Sequence, residues 1–444
     1  MSLAERRRLR LFTLCVLYVA QGIPWGFMAT TLPAYLAKHG VTREALGTAL
    51  AMTTLPYGFK WVWGPLVDAF TIPSLGRRRP WILFAQAMMA ATVIAMVLIP
   101  DISVDLQMLS WMILIHTVFN SLQDVSTDAL AVDLLDDNER GRANGLMYAS
   151  KYFGGIIGGV GMATIIAYSD LSTALIVQTA ILVAIMAVPF LIRERPAGTA
   201  APRPPLGDVL RGLAEAFSIR SAVITAILMI GVNLASGILT TTSYALFTQR
   251  LGWEAEELTA LTGGLGLAAG FGGSILGGFL ADVFGRRRMI LIAGAGMAAN
   301  WLVFAMAEPY WSNDVFAYVL AILEVLTQSI MTVSLFALCM DVSWTKIGAS
   351  QFTAYMALAN FSQTIGFRLG SELAGWSYAR IYMIASLIQL VMTTLVLAID
   401  PTETRRRLPL PPGSSIVPGI IAAVALLVVL VTLMIVLVII PFVS

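Results

Sequence analysis

The chain is poor in the residues from which hydrolytic and redox centres are built. It holds two histidines, His39 and His116, and two cysteines, Cys15 and Cys339, among 444 residues. No His, Cys, Asp or Glu grouping has metal-ligand spacing, so no metal and no cofactor is expected and an enzyme is disfavoured. Both cysteines fall in apolar runs, where a thiol packs as a small hydrophobe. There is no G-x-x-x-x-G-K-S/T loop, which argues against ATP hydrolysis by this chain. Charge is scarce as well: 12% of residues are charged and 58% hydrophobic, with a mean hydropathy of +0.81. That leaves too little polar surface to cover a soluble globule, and the lipid bilayer is the expected solvent. The net charge of +2 gives no reason to expect a nucleic-acid partner.

What is present is a succession of apolar runs, each long enough to cross hydrocarbon as a helix. They lie at 11–36, 44–68, 79–99, 106–134, 141–168, 171–192, 220–249, 256–282, 288–307, 312–340, 348–375 and 378–399, and a charge-free run at 416–441 adds a thirteenth. The basic N-terminus resembles a signal peptide, but its apolar run continues through Gln21 and Pro24 without a cleavage site, so it reads as a retained first span. A helical bundle is expected rather than a barrel, because short alternating strands are missing. With the N-terminus cytoplasmic, 21 of the 28 Lys and Arg fall in cytoplasmic segments and four on the opposite face. That bias sets the orientation, and a spanning thirteenth helix would then place the C-terminus outside.

Pro-rich breaks divide the chain. The expected organisation is a six-helix bundle over 1–192, a cytoplasmic linker over 193–219, a second six-helix bundle over 220–400, a Pro-rich linker over 401–415 and an additional span over 416–444. The two bundles repeat a signature. GPLVDAFTIPSLGRRRP follows the second span and GGFLADVFGRRRM follows the eighth, each with an Asp at a helix end and a Gly-Arg-Arg-Arg cluster beyond. A further Asp ends the fourth span (Asp133) and the tenth (Asp341). Asp68, Arg77, Arg78 and Asp133 in one half, and Asp282, Arg286, Arg287 and Asp341 in the other, are therefore candidates for a cytoplasmic gate. Duplicated halves of this kind support alternating access in secondary transporters. The plain alternative is that the arginines act only as topology signals.

GFLADVFGRRR resembles the cytoplasmic loop signature of the major facilitator superfamily, and GPLVD…GRRR resembles its first-half copy with a longer loop. QGIPWGFMATTLPAYL, LPYGFKWVWGPLVD and QDVSTDALAVDLL resemble the branch of muropeptide permeases (AmpG-like), acetyl-coenzyme A transporters and siderophore importers of the RhtX/FptX type. The resemblance implies that fold, all-α with 12 transmembrane helices in two pseudo-repeats, and a transport activity. It also implies that Lys60 and the Gln-Asp-x-x-x-Asp pattern are typical of the branch.

Ionisable groups at membrane depth are functional candidates by default. At ~1.5 Å per residue from the cytoplasmic helix ends, Lys60 lies about 12 Å deep, Asp128 about 9 Å, and Asp124 and Lys151 about 15 Å. Asp124 and Asp128 are four residues apart and share one helix face. One of the pair is expected to bind a proton, while Lys60 or Lys151 attracts an anionic group; the alternative is a permanent ionic core. Glu324 and His116 occupy matching positions in the two halves, each 17 residues before its Asp, and are further proton-coupling candidates. Gln21, Trp25, Asn120, Gln123, Tyr152, Asn233, Gln328, Tyr355, Asn360 and Gln363 are candidates for lining a solute path.

The sequence thus leads to proton-coupled uptake of a small or medium-sized amphiphilic solute, muropeptide-like or siderophore-like, by a monomer in a bacterial inner membrane. An acyl-coenzyme A type transporter and a non-transporting sensor or scaffold are the alternatives.

Overall fold

In the computed structural model, the described residues are 2–39, 41, 52–53, 55–72, 75–99, 104–195, 205–253, 260–411, 414–421, 424–425 and 428. Among them the regular structure is helical, and β-pairing is limited to two isolated bridges.

Helix α1 begins with Arg7–Gly26 and continues through a π-helical turn, Phe27–Thr31, into Leu32–Lys38. Helix α2 is broken: Leu55–Gly58 and Trp63–Ala69 flank a 3-10 turn, Lys60–Val62. Then come α3 (Arg79–Met96), α4 (Leu106–Leu134), α5 (Arg140–Ile156, a π turn Ile157–Gly161, then Met162–Tyr168) and α6 (Leu171–Leu191). After a linking helix, Leu206–Ala216, follow α7 (Arg220–Ala245, then a π turn Leu246–Arg250), α8 (a π turn Ala260–Leu265, then Gly266–Phe284), α9 (Arg286–Met306), α10 (Asp314–Val342), α11 (Gly348–Glu372) and α12 (Tyr378–Thr394). Among the described residues nine of these helices are long and apolar enough to cross a membrane. Helices α4 and α11 have the length but fall outside that set, because polar residues dilute their hydropathy.

Local chemistry sets the ends. Asp105 caps α4 by accepting the Met108 N–H at 3.2 Å, Asp170 caps α6 through Thr173, and Asn313 caps α10 through Phe316. The glycine of each Gly-Arg-Arg-Arg signature has a positive φ, 109° at Gly76 and 88° at Gly285, a conformation that a Cβ disfavours.

Residues 1–135 and 146–206 form one compact unit, and 136–145 with 207–444 a second. The first has an apolar core in which Ala20, Ile23 and Phe27 of α1 meet Met89 and Val93 of α3, Leu109 and Ile113 of α4, and Leu175 and Leu182 of α6. On another face α1 approaches α5 backbone to backbone: a Cβ on Gly22 would fall 2.1 Å from Lys151 O, and one on Gly158 would fall 1.8 Å from Ile23 O. Only glycine permits that distance. The two π turns meet there, and Thr31 Oγ1 donates to Gly159 O at 2.7 Å. The second unit repeats the device between α7 and α11, where Gly237 faces Gly366.

Of the expected second span, 44–54 is described only at 52–53. Of the expected thirteenth, the described residues are helical from 417 to 421 and at 424–425 and 428, with Gly419 against Ala214 and Ser218 of the linking segment. The rest lies outside the described residues.

Candidate functional site

The last four turns of α4 carry few side chains that belong in a lipid-facing helix. Asn120, Gln123, Asp124 and Asp128 are all buried, and their spacing places Asn120, Asp124 and Asp128 along one stripe. Opposite them α2 is interrupted at Lys60. The break brings the Lys60 ammonium 3.0 Å from Asp124 Oδ2, with side-chain exposures of 6% and 9%. Trp63 Nε1 donates to Ser121 Oγ at 3.1 Å and ties the lower arm of α2 to α4.

Asp128 has a different partner. The hydroxyl of Tyr18, on α1, donates to its Oδ1. Tyr18 is fully buried, and its ring lies 5.9 Å from that of Tyr148 on α5. The Lys151 ammonium stands over the Tyr148 ring at 5.9 Å, and among the described residues no carboxylate is within 4.0 Å of it. The expected layer of Lys60, Asp124, Asp128 and Lys151 is thus one neighbourhood inside the first unit, but its four charges are not equivalently paired.

Other candidates sit elsewhere. His116 is buried between α3 and α4, with Nδ1 2.9 Å from Thr92 Oγ1. Glu324 lies beside Trp301 of α9 and Tyr382 of α12, so the two register-matched positions both turn toward the third helix of their own half. Gln21 is buried with neither amide atom bonded to protein, Asn120 keeps an unbonded Oδ1, and Gln123 donates to Leu17 O while its Oε1 is unbonded. Trp25 is 40% exposed and edge-on to Tyr152. In the second unit Gln328 donates to Ser236, Asn233 to the Met229 carbonyl, and Tyr355 is fully buried under Gln351. Asn360 and Gln363 are partly buried on α11.

The two arginine signatures form different networks. Arg78 is fully buried: Nε bonds Asp133 at 2.8 Å, Nη2 bonds Asp68 at 2.7 Å, and Nη1 bonds the Val67 carbonyl at 2.9 Å. Burial opposes that charge, but Asp133 and Asp68 overturn it and hold the guanidinium above its ordinary range. Arg77 joins the same two carboxylates at 2.9 and 3.7 Å. Glu194 accepts the Arg78 N–H, and Arg79 reaches the carbonyls of Pro189 and Phe190 at the end of α6. In the second unit Asp341 receives Arg286 and, at 2.8 Å, Arg140. Asp282 accepts the backbone N–H groups of Gly141 and Arg142, each at 2.9 Å, and lies 3.9 Å from Arg286. Among the described residues Arg287 bonds no carboxylate; like Arg79, it caps carbonyls, those of Val396 and Leu397 in the 3-10 turn that follows α12. The longer first loop thus shifts the arginine register by a residue.

The family model of the Major Facilitator Superfamily matches residues 14–371. The chain belongs to the major facilitator superfamily. It is 24% identical over 392 residues to the anhydromuropeptide permease of Escherichia coli (strain K12), covering 86% of this chain and 78% of the permease. Among solved structures, the human organic anion transporter MFSD10 (TETRAN) superposes with a TM-score of 0.70 at 14% identity, over 88% of this chain and 99% of that one. The proton:xylose symporter XylE does so at 0.70 and 11%, over 89% and 98%. These similarities fix the superfamily fold and make the chain a multi-pass membrane transporter of small solutes.

Sequence reasoning passed over several partners in these superfamily networks. Arg140 and Arg142 stand in the visible run DDNERGR, where a basic residue following acids could have been assigned to the repeat. Tyr18 gave no signal, because a tyrosine in an apolar span reads equally well as packing.

Proposed function

We propose that this protein is a proton-coupled secondary transporter that takes up an amphiphilic, muropeptide-like solute bearing an anionic group, by alternating access, as a monomer in the bacterial cytoplasmic membrane. The observation that carries the reading is the unequal pairing in the first unit: Lys60 is bound to Asp124, Asp128 holds only a hydroxyl, and Lys151 has no carboxylate partner within 4.0 Å among the described residues. With all four groups charged the layer is neutral. Protonation of Asp128 leaves a net positive charge on Lys151, and an anion is then attracted in a medium that screens poorly. Proton and anion therefore favour each other's binding, which is the linkage a symporter needs. Gln21, Asn120 and Gln123 offer unbonded amide atoms for neutral parts of the solute. The similarity to an anhydromuropeptide permease supports the choice of a muropeptide-like solute. The arginine-bearing ends face the cytoplasm, and the Asp68–Arg78–Asp133 and Asp282–Arg286–Asp341 networks act as the gate on that side.

The test is uptake of labelled anhydromuropeptide into proteoliposomes under an imposed pH gradient, comparing wild type with Asp124→Asn, Lys60→Ala and Lys151→Ala. Gradient-driven uptake that falls at least tenfold in the variants supports the reading. Wild-type uptake indifferent to the gradient, or unchanged in all three variants, overturns it.

A further inference from the structure

Two carboxylates one turn apart and both buried compete for the same proton, so something must decide between them. Asp124 has a full ionic partner in Lys60 at 3.0 Å. Asp128 has a neutral donor, Tyr18, which comes from α1, a helix that otherwise meets α4 here through the Gln123 bond to the Leu17 carbonyl at 3.2 Å. We propose that Tyr18 is the positioning residue that governs when Asp128, left free of Lys60, holds its proton, and that it links that proton to the seating of α1 against α4. The inference rests on the proton-coupled reading above and deepens it.

The argument is one of hydrogen-bond capacity. An ionised carboxylate only accepts, so a phenolic donor aimed at Oδ1 favours the charged form, and removing it favours the protonated form. The groups that face Asp128 are Tyr18 from α1, Lys60 from α2, Asp124 on its own helix, and Tyr148 and Lys151 from α5. Asp124 repels a second negative charge, and the two ammonium groups attract it. Tyr18 is the member that belongs to α1, which approaches α5 backbone to backbone across glycines and a pair of π turns, with Thr31 bonded to Gly159 O and Trp25 edge-on to Tyr152. When α1 separates from α4, Asp128 loses its donor and takes up a proton. When α1 seats again, the returning hydroxyl helps to expel it. By the same linkage, a protonated Asp128 holds α1 less firmly.

Infrared difference spectroscopy of the purified protein in nanodiscs reads the protonated carboxyl band directly, with no solute required. Wild type should show a titrating band that Asp128→Asn removes. In Tyr18→Phe its midpoint should move to higher pH by about one to two units, each unit being tenfold in the protonation constant. Uniform replacement of tyrosine by 3-fluorotyrosine gives a measurement on the unmutated fold: the more acidic phenol is a stronger donor, so the midpoint should fall. A band that Asp128→Asn removes but that neither Tyr18→Phe nor fluorotyrosine shifts overturns the role of Tyr18 and leaves the transport reading intact. A wild type with no Asp128-dependent band overturns both.

Discussion

Replacing Lys60 by Met tests the ionic layer in its most exposed assumption, that Asp124 is charged and dry. Met fills most of the lysine stem volume and has no charge, so packing is nearly conserved while Asp124, 9% exposed in its side chain, is left without its partner at 3.0 Å. Breaking a buried pair from one side costs about 3–5 kcal/mol. Replacing both members with apolar residues removes the stranded charge as well, so Lys60→Met/Asp124→Leu should recover most of that loss and can reach or exceed wild type. Acidification offers Asp124 another way to lose its charge. The deficit of the single variant should therefore narrow as pH falls, by no more than about 1.4 kcal/mol per pH unit for one proton. The assay is reversible unfolding in mixed micelles, followed by tryptophan fluorescence at several pH values. A single variant within about 1 kcal/mol of wild type at neutral pH, or a double variant no better than the single, would refute the reasoning, because either result requires Asp124 to be solvated.

Arg78→Lys should be nearly as damaging as Arg78→Ala, by about 3 kcal/mol or more, because an ammonium cannot reach Asp133, Asp68 and the Val67 carbonyl together as the planar fork does; thermal denaturation of the two variants decides. Gly158→Ala places a methyl 1.8 Å from the Ile23 carbonyl and should destabilise by about 1–3 kcal/mol and slow transport, whereas Gly272→Ala, with nothing within 4 Å, should be neutral or slightly stabilising in the same melt. Asp137 is held below the ordinary carboxylate range by its hydrogen bond from Arg405 and by the nearby Arg140 and Arg286. Its contribution is thus present above the unfolded-state value and is lost as pH falls through the lower folded-state one. Asp137→Asn should flatten the acid limb of the stability profile and change neutral-pH stability by less than about 1 kcal/mol, since the pair is exposed to water.

Helix positions were legible because a bilayer imposes one length and one polarity on everything that crosses it. The signature glycines could be located in the sequence, and the structure adds their reason: Gly76 and Gly285 take a positive φ in the loop before each arginine run. Side-chain pairing was less legible. Arg287 was grouped with Arg286 from its place in the motif, yet one residue along a helix start turns a side chain by about 100°, and it meets carbonyls instead. The break of α2 at Lys60 was present in LPYGFKWVWGPLVD but not read: Gly58 and Gly64 flank it, and Pro65, which cannot bond the carbonyl four residues back, falls in the first turn of the restarted helix Trp63–Ala69.

The polar stripe of α4 also bears on how the chain enters the membrane. Leu106–Leu134 carries Asp124, Asp128 and Asp133 and is not among the helices apolar enough to cross unaided. At the centre of a translocating segment each such charge costs about 2.5–3.5 kcal/mol, and Lys60 handicaps α2 in the same way. Pairing of Lys60 with Asp124 offsets part of that penalty for both helices. The partner of Lys60 lies 64 residues further along the chain, so α2 gains its full stability in the bilayer only once α4 is there to receive it.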